Sequence, residues 1–195
     1  MTADRRFHVV NRRAVLANRR FEVMFDRLEN AAGDVVPDYL ILRPKVLHDG
    51  VSGVCVLPEV DGRIGLMRAW RHHFGEEIWQ APAGFAEAGE SVETTARREL
   101  REEAGFDCAD ADFQSLGLMI PDAGIIQAKV ALFVARRAYP IADADGAPSP
   151  DEPGLGALRF HTPDALRTLI LTSPAMGAAT MIACQRYLAT LAAAG

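Results

Sequence analysis

Gly84-Phe85-Ala86-Glu87-Ala88-Gly89-Glu90-Ser91-Val92-Glu93-Thr94-Thr95-Ala96-Arg97-Arg98-Glu99-Leu100-Arg101-Glu102-Glu103-Ala104-Gly105-Phe106 is a loop that feeds a helix. Gly84 and Gly89 give the loop backbone freedom. Ser91 suits an N-cap, and Glu90 and Glu93 place negative charge at the positive end of the helix dipole. Val92, Ala96, Leu100 and Ala104 recur every fourth position as a narrow apolar stripe. Gly105 is the residue that lets a helix end in the left-handed conformation. The spacing predicts a helix over about Val92–Ala104.

The remaining faces of this helix carry the chemistry. Glu99 and Glu103 are one turn apart on the same side, and Glu102 stands three residues from Glu99. Carboxylates this close repel unless a cation sits among them. Mg²⁺ favours oxygen ligands and shares its shell with phosphates, so it is the expected cation, with Mn²⁺ as an alternative. Arg98 is placed to brace the carboxylates from behind. A solvated Glu/Arg face would share the composition of this run but has no need of the fixed glycines around it.

Gly84, Glu90, Arg98, Glu99, Leu100, Glu102, Glu103 and Gly105, followed by apolar Phe106, resemble the signature of the Nudix hydrolases. Phe106 departs mildly from a position that is usually aliphatic in that family. The resemblance covers about residues 40–195. It implies an α/β fold, a Nudix-type α/β/α sandwich with a mixed sheet. It also implies a metal shell of Glu99, Glu102, Glu103 and the backbone carbonyl of Ala83.

Further segments are similar to the ADP-ribose pyrophosphatase branch of the family. Met67-Arg68-Ala69-Trp70-Arg71 and Ile78-Trp79-Gln80-Ala81-Pro82-Ala83-Gly84 match two of its stretches, and Pro121 matches a downstream proline. By that resemblance Arg71 holds a diphosphate oxygen, for which a guanidinium fork is well shaped. Trp79 offers a stacking face for a base, although core packing would also explain a tryptophan there. Two departures stand out. Gln80 replaces a glutamate, and Ile125-Ile126-Gln127-Ala128 replaces a segment that carries an acidic pair. A loop near residues 138–156, rich in Pro, Gly and Asp, is where the resembling enzymes supply a catalytic glutamate. Glu152 is the first candidate and Asp151 the second; Glu102 and Glu103 are the helix-borne alternatives for the proton acceptor.

The bounds agree. Net charge is -5 over 195 residues, which disfavours a surface that tracks long nucleic acid. Hydrophobic residues at 49% and charged residues at 24% are those of a globule with a core and no membrane span. Cys55, Cys108 and Cys184 form no metal-spaced or redox pair, and Arg5-Arg6 is followed by no apolar leader, so a reducing, cytoplasmic setting is expected.

Along the chain, residues 7–44 read as strands. Phe21, Val23 and Phe25 show a period of two, with turns near Asn18 and at Ala32-Gly33-Asp34. Val51–Val60 and Ile64–Trp70 flank the hairpin signal Asp61-Gly62. Strands are expected at 113–120, 128–135 and 158–161, a helix capped by Thr162 with Pro163 at N1, and a last helix from Pro174 to about Ala194. Residues 1–44 are thus a strand extension, which the resemblance assigns to homodimerisation, and residues 45–195 the hydrolase domain. The expected reaction is Mg²⁺-dependent hydrolysis of a nucleoside diphosphate sugar such as ADP-ribose, giving a nucleoside monophosphate and a sugar phosphate. The small-molecule nucleotide would be the only ligand besides metal. Alternatives are hydrolysis of a modified nucleoside triphosphate or a dinucleoside polyphosphate, or a non-catalytic nucleotide-sugar sensor.

Overall fold

The computed structural model describes residues 6–141 and 154–193. Three antiparallel strands open the chain: β1 (His8–Ala17), β2 (Phe21–Glu29) and β3 (Val35–Pro44), in the order β1-β2-β3. The expected alternation of Phe21, Val23 and Phe25 is present, yet the most buried positions of β2 are Met24 and Asp26 on the other face. Asp26 is tolerated there because Arg12 of β1 grips it with two hydrogen bonds of 2.7 Å each.

The main sheet follows. β4 (Val51–Val60) and β5 (Arg63–Arg71) are joined by Asp61-Gly62, whose φ values of 50° and 73° suit the primed turn that matches strand twist. β6 (Glu76–Gln80) pairs with β5, and β7 (Ala83–Phe85) pairs with β4. Next come α1 (Val92–Ala104), β8 (Phe106–Asp107), β9 (Phe113–Met119), β10 (Lys129–Ala135), β11 (Tyr139–Pro140) and β12 (Arg159–His161). The path is β12-β5-β4-β10-β9, in which β10 runs parallel to β4 and the other pairs are antiparallel. β8 and β11 form a separate small ribbon.

Both faces of this mixed sheet are covered, which explains why β4 is a continuous apolar run. Val54 and Val56 face one core, with Ala131, Phe133 and the α1 residues Ala96 and Leu100. Cys55 and Leu57 face the other, with Leu132, Val134, Leu166 and Tyr187. Leu166 lies on α2 (Pro163–Thr172) and Tyr187 on α3 (Ala178–Ala193), so α1 and the α2/α3 pair sandwich the sheet. This is the expected α/β/α sandwich.

The last helix corrects an expectation. It begins at Ala178, not at Pro174. The preceding residues are recruited as extended chain beside β6: Trp79 N–H donates to Ala175 O at 3.2 Å, and Gly177 N–H to Trp79 O at 3.0 Å. A strand edge that needed partners outcompeted the helix start.

Candidate active site

The charged helix is fixed at both ends by local chemistry. Ser91 Oγ accepts from Thr94 N–H at 3.1 Å, and Gly105 sits at φ 70° with its N–H donating to Arg101 O at 3.0 Å. Ala96 and Leu100 are fully buried, and Glu99 and Glu103 flank that buried stripe on the side that meets β7. Ala83 N–H donates to Glu103 Oε2 at 2.7 Å. Glu99 lies against Gly84, where a Cβ would overlap its carboxylate. Gly53 of β4 backs Gly84 from the other side: a Cβ there would meet Gly84 O at 2.5 Å. Two glycines therefore let a strand, a turn and a carboxylate stack.

The three signature carboxylates do not all converge. On a helix, positions 99 and 103 are about 40° apart, whereas 102 is about 60° from 99 in the other direction. Glu102 accordingly points outward, its side chain 51% exposed against 9% for Glu99. Among the described residues, no group of three His, Cys, Asp or Glu side chains is close enough to hold a metal by itself. Arg98 lies between the carboxylates instead. Its Nη1 donates to Glu99 Oε1 at 2.7 Å and to Glu102 Oε2 at 2.9 Å, and its Nε to Glu90 Oε1 at 3.0 Å. Burial works against the charged guanidinium, but the surrounding carboxylates outweigh it and raise its pKa. The Arg98 hydrogen bond in turn holds Glu90 below the usual glutamate range.

The donor set open to a divalent cation is all oxygen: Glu99 and Glu103 both reach Ala83-Gly84 from α1, and the missing Gly84 side chain leaves room for the Glu99 carboxylate. That chemistry fits a hard cation which completes its shell with phosphate and water.

A cavity of about 330 Å³ adjoins this cluster. Arg71 at the end of β5, Ala83 and Gly84 in β7, and Pro121 just after β9 share its wall, so residues distant in sequence are brought together. Gln80 lines the same cavity and accepts a hydrogen bond from Arg71 Nη2. Its sequence signal was only a departure from a family pattern. Thr180 also lines it and is pinned by Ala81 N–H at 2.9 Å, a role with no sequence signature. Cys55 contributes no nucleophile here: burial pushes its thiol up to about 12.

Trp79 is not among the residues that line this cavity. Side chains alternate along a strand, so Gln80 faces the cavity and Trp79 faces away. Its ring meets His161 edge-on at 5.2 Å, with Arg68 5.4 Å from its centroid, and it packs on the α2/α3 core. The segment that departs from the branch pattern has its own partner. Leu42 N–H donates to Ile125 O at 2.8 Å and Gln127 N–H to Leu42 O at 3.0 Å, tying it to β3. Glu152 and Asp151 lie outside the described residues.

The NUDIX domain family matches residues 47–180. An ADP-ribose pyrophosphatase of Mycobacterium tuberculosis is 30% identical over 105 residues, which is 53% of this chain and 48% of that protein. The match thus spans about half the length of that relative. A crystal structure of an ADP compounds hydrolase superposes with a TM-score of 0.79 over 98% of this chain and 97% of the other, at 23% identity. At that identity the likeness speaks for the fold. No helix among the described residues is long and apolar enough to cross a membrane.

Proposed function

The chain belongs to the NUDIX domain family, and from that premise we propose that it hydrolyses the diphosphate bond of a nucleoside diphosphate sugar such as ADP-ribose, giving a nucleoside monophosphate and a sugar phosphate. The observation that carries the reading is the meeting of two chemistries at Ala83-Gly84. Glu99 and Glu103 border it on the helix side. The cavity with Arg71 borders it on the other.

Glu99 and Glu103 would hold a divalent cation, Mg²⁺ by preference and Mn²⁺ as the alternative, together with the Ala83 carbonyl and Glu102 directly or through water. When bound, such a cation neutralises diphosphate charge and acidifies a water. Arg98 keeps Glu99 and Glu102 in fixed rotamers until then. Arg71 grips a diphosphate oxygen, and Gln80 fixes the guanidinium without cancelling its charge. A carboxylate accepts the proton of the attacking water, and we assign that role to Glu152.

The N-terminal strands supply a homodimer contact in this reading, with residues 1–44 as the dimerisation element and residues 45–195 as the hydrolase domain. All ten residues of β1 are exposed, including Val9, Val15 and Leu16, an apolar strand of the kind a second copy would cover. The three cysteines are unpaired and buried, in keeping with a reducing compartment, and we place the protein in the cytoplasm.

The test is a substrate panel. Pure protein with Mg²⁺ is incubated with nucleoside diphosphate sugars, dinucleoside polyphosphates and nucleoside triphosphates, and products are identified by mass. The expected outcome is the highest kcat/KM for a diphosphate sugar, with cleavage between its two phosphorus atoms. A triphosphate that wins the panel, or binding without turnover, overturns the reading.

A further inference from the structure

We propose that Gln80 touches the substrate, its amide nitrogen donating to a diphosphate oxygen next to the one that Arg71 holds, a role that rests on the diphosphate-sugar activity proposed above. Arg71 and Gln80 stand on one face of the β5–β6 hairpin: Met67, Ala69 and Arg71 of β5 pair with Gln80, Ile78 and Glu76 of β6. Arg71 reaches back past Ala69, the small residue between them, and donates from Nη2 to Gln80 Oε1. A guanidinium has donors only, so the carbonyl end of the amide must face it and the Nε2 end must face elsewhere. Gln80 is 7% exposed and lines the cavity of about 330 Å³. Among the described residues nothing accepts a hydrogen bond from its Nε2, so that nitrogen is left for whatever fills the cavity.

The backbone holds Gln80 in this position from both sides. Trp79 N–H donates to Ala175 O at 3.2 Å, and Ala81 N–H to Thr180 Oγ1 at 2.9 Å. The wall around the amide is apolar, with Val54, Met119 and Val130, and none of the described lining residues is a carboxylate. A buried N–H with no acceptor is costly, and a ligand that supplies one recovers that cost. With Oε1 spent on Arg71, the pair offers donors alone. Phosphoryl oxygens of a diphosphate accept alone and stand side by side, so an adjacent guanidinium and amide can take two of them. A glutamate at position 80 would accept from Arg71 equally well, but it would turn a negative oxygen toward the substrate. Gln80 is therefore a specificity residue for the diphosphate as well as a prop for Arg71.

The test is a double-mutant cycle read in binding. Kd for ADP-ribose and for ADP is measured by calorimetry with divalent cations chelated, in wild type, Gln80→Met, Arg71→Met and the double variant. Methionine is unbranched, fills comparable space and donates no hydrogen bond. Gln80→Met is expected to weaken both ligands at least ~10-fold, the scale of one hydrogen bond to a charged group, in the wild-type and the Arg71→Met backgrounds alike. No further loss in the Arg71→Met background would mean that Gln80 acts only through Arg71, and overturns the contact. A loss confined to ADP-ribose overturns it too, by placing the acceptor on the sugar, as does wild type that binds neither ligand. Gln80→Glu should bind no better than Gln80→Met, and wild-type affinity in that variant also overturns the donor. Binding is read without turnover, so the expected pattern supports the contact even if ADP-ribose is not cleaved when Mg²⁺ is added. Cleavage of ADP-ribose with an unchanged Kd in Gln80→Met refutes the contact alone and leaves the hydrolysis standing.

Discussion

Gly84 and Glu99 occupy one another's space: only the absence of a side chain at 84 lets the Glu99 carboxylate lie against β7. Glu99 is 7% exposed and has no room to retreat, because Arg98 closes it from the helix side. Gly84→Ala is expected to push the carboxylate out of register, lowering kcat at least ~100-fold, the scale on which small misplacements act in positioned sites. Overpacking of this kind costs about 1–3 kcal/mol. Melting followed with and without Mg²⁺ checks it: the variant should melt lower and gain less from the metal than wild type.

Glu103 tests the charge separately from the geometry. Its Oε2 accepts from Ala83 N–H, and a glutamine could accept the same bond. Glu103→Gln should therefore fold normally while kcat falls by at least ~100-fold, and chelation of divalent cations should abolish turnover in the wild type. Full activity of the wild type in excess chelator would remove the metal from the account.

His161 gives a pH signature. Its Nε2 is buried without a hydrogen-bond partner among the described residues, and burial first, then Arg159, lowers its pKa below 6.5. As pH falls past 6.5, the unfolded chain takes up this proton before the folded one does, so stability declines. His161→Phe keeps an aromatic edge against Trp79 and cannot titrate. The variant should lose less stability than wild type between pH 7 and 5 in denaturant titrations. Asp26 and Glu90, held low by hydrogen bonds from Arg12 and Arg98, act in the same direction further down. The stability they contribute is present above the ordinary carboxylate range, about pH 4, and is lost as pH falls through their lower folded values in both proteins. An identical pH slope in the two proteins above pH 5 would show that His161 is not the group responsible.

Local chemistry made α1 readable to the residue, because Ser91 and Gly105 cap it whatever the rest of the chain does. The β4–β5 hairpin was readable for the same reason, through Asp61-Gly62. What the sequence hid was decided by partners distant along the chain. Residues 174–177 leave the helix because β6 offers them backbone bonds. Trp79 turns from the cavity because Gln80 takes the inward position beside Arg71. Glu102 shares the signature with Glu99 and Glu103 but not their direction, a difference of helical angle that a pattern of letters does not display.

The identity of the proton acceptor is the remaining question of the mechanism. Glu99 and Glu103 are committed to β7 and, in the proposed reaction, to the cation, which makes each a poor base because the ion holds its lone pairs. Glu102 is exposed and paired with Arg98. Glu152 stands two residues before Gly154, whose carbonyl accepts from Trp70 N–H at 3.0 Å, next to Arg71. Gly154 is thus fixed beside the residue assigned to the diphosphate. Glu152→Gln is expected to lower kcat by ~100-fold or more, the scale of general base catalysis. Substrate Kd should change by less than about fivefold, roughly 1 kcal/mol. Asp151→Asn and Glu102→Gln, measured beside it, separate the candidates. If Glu152→Gln keeps near wild-type kcat while Glu102→Gln loses it, the base is on α1, and Arg98 must release Glu102 before each turnover.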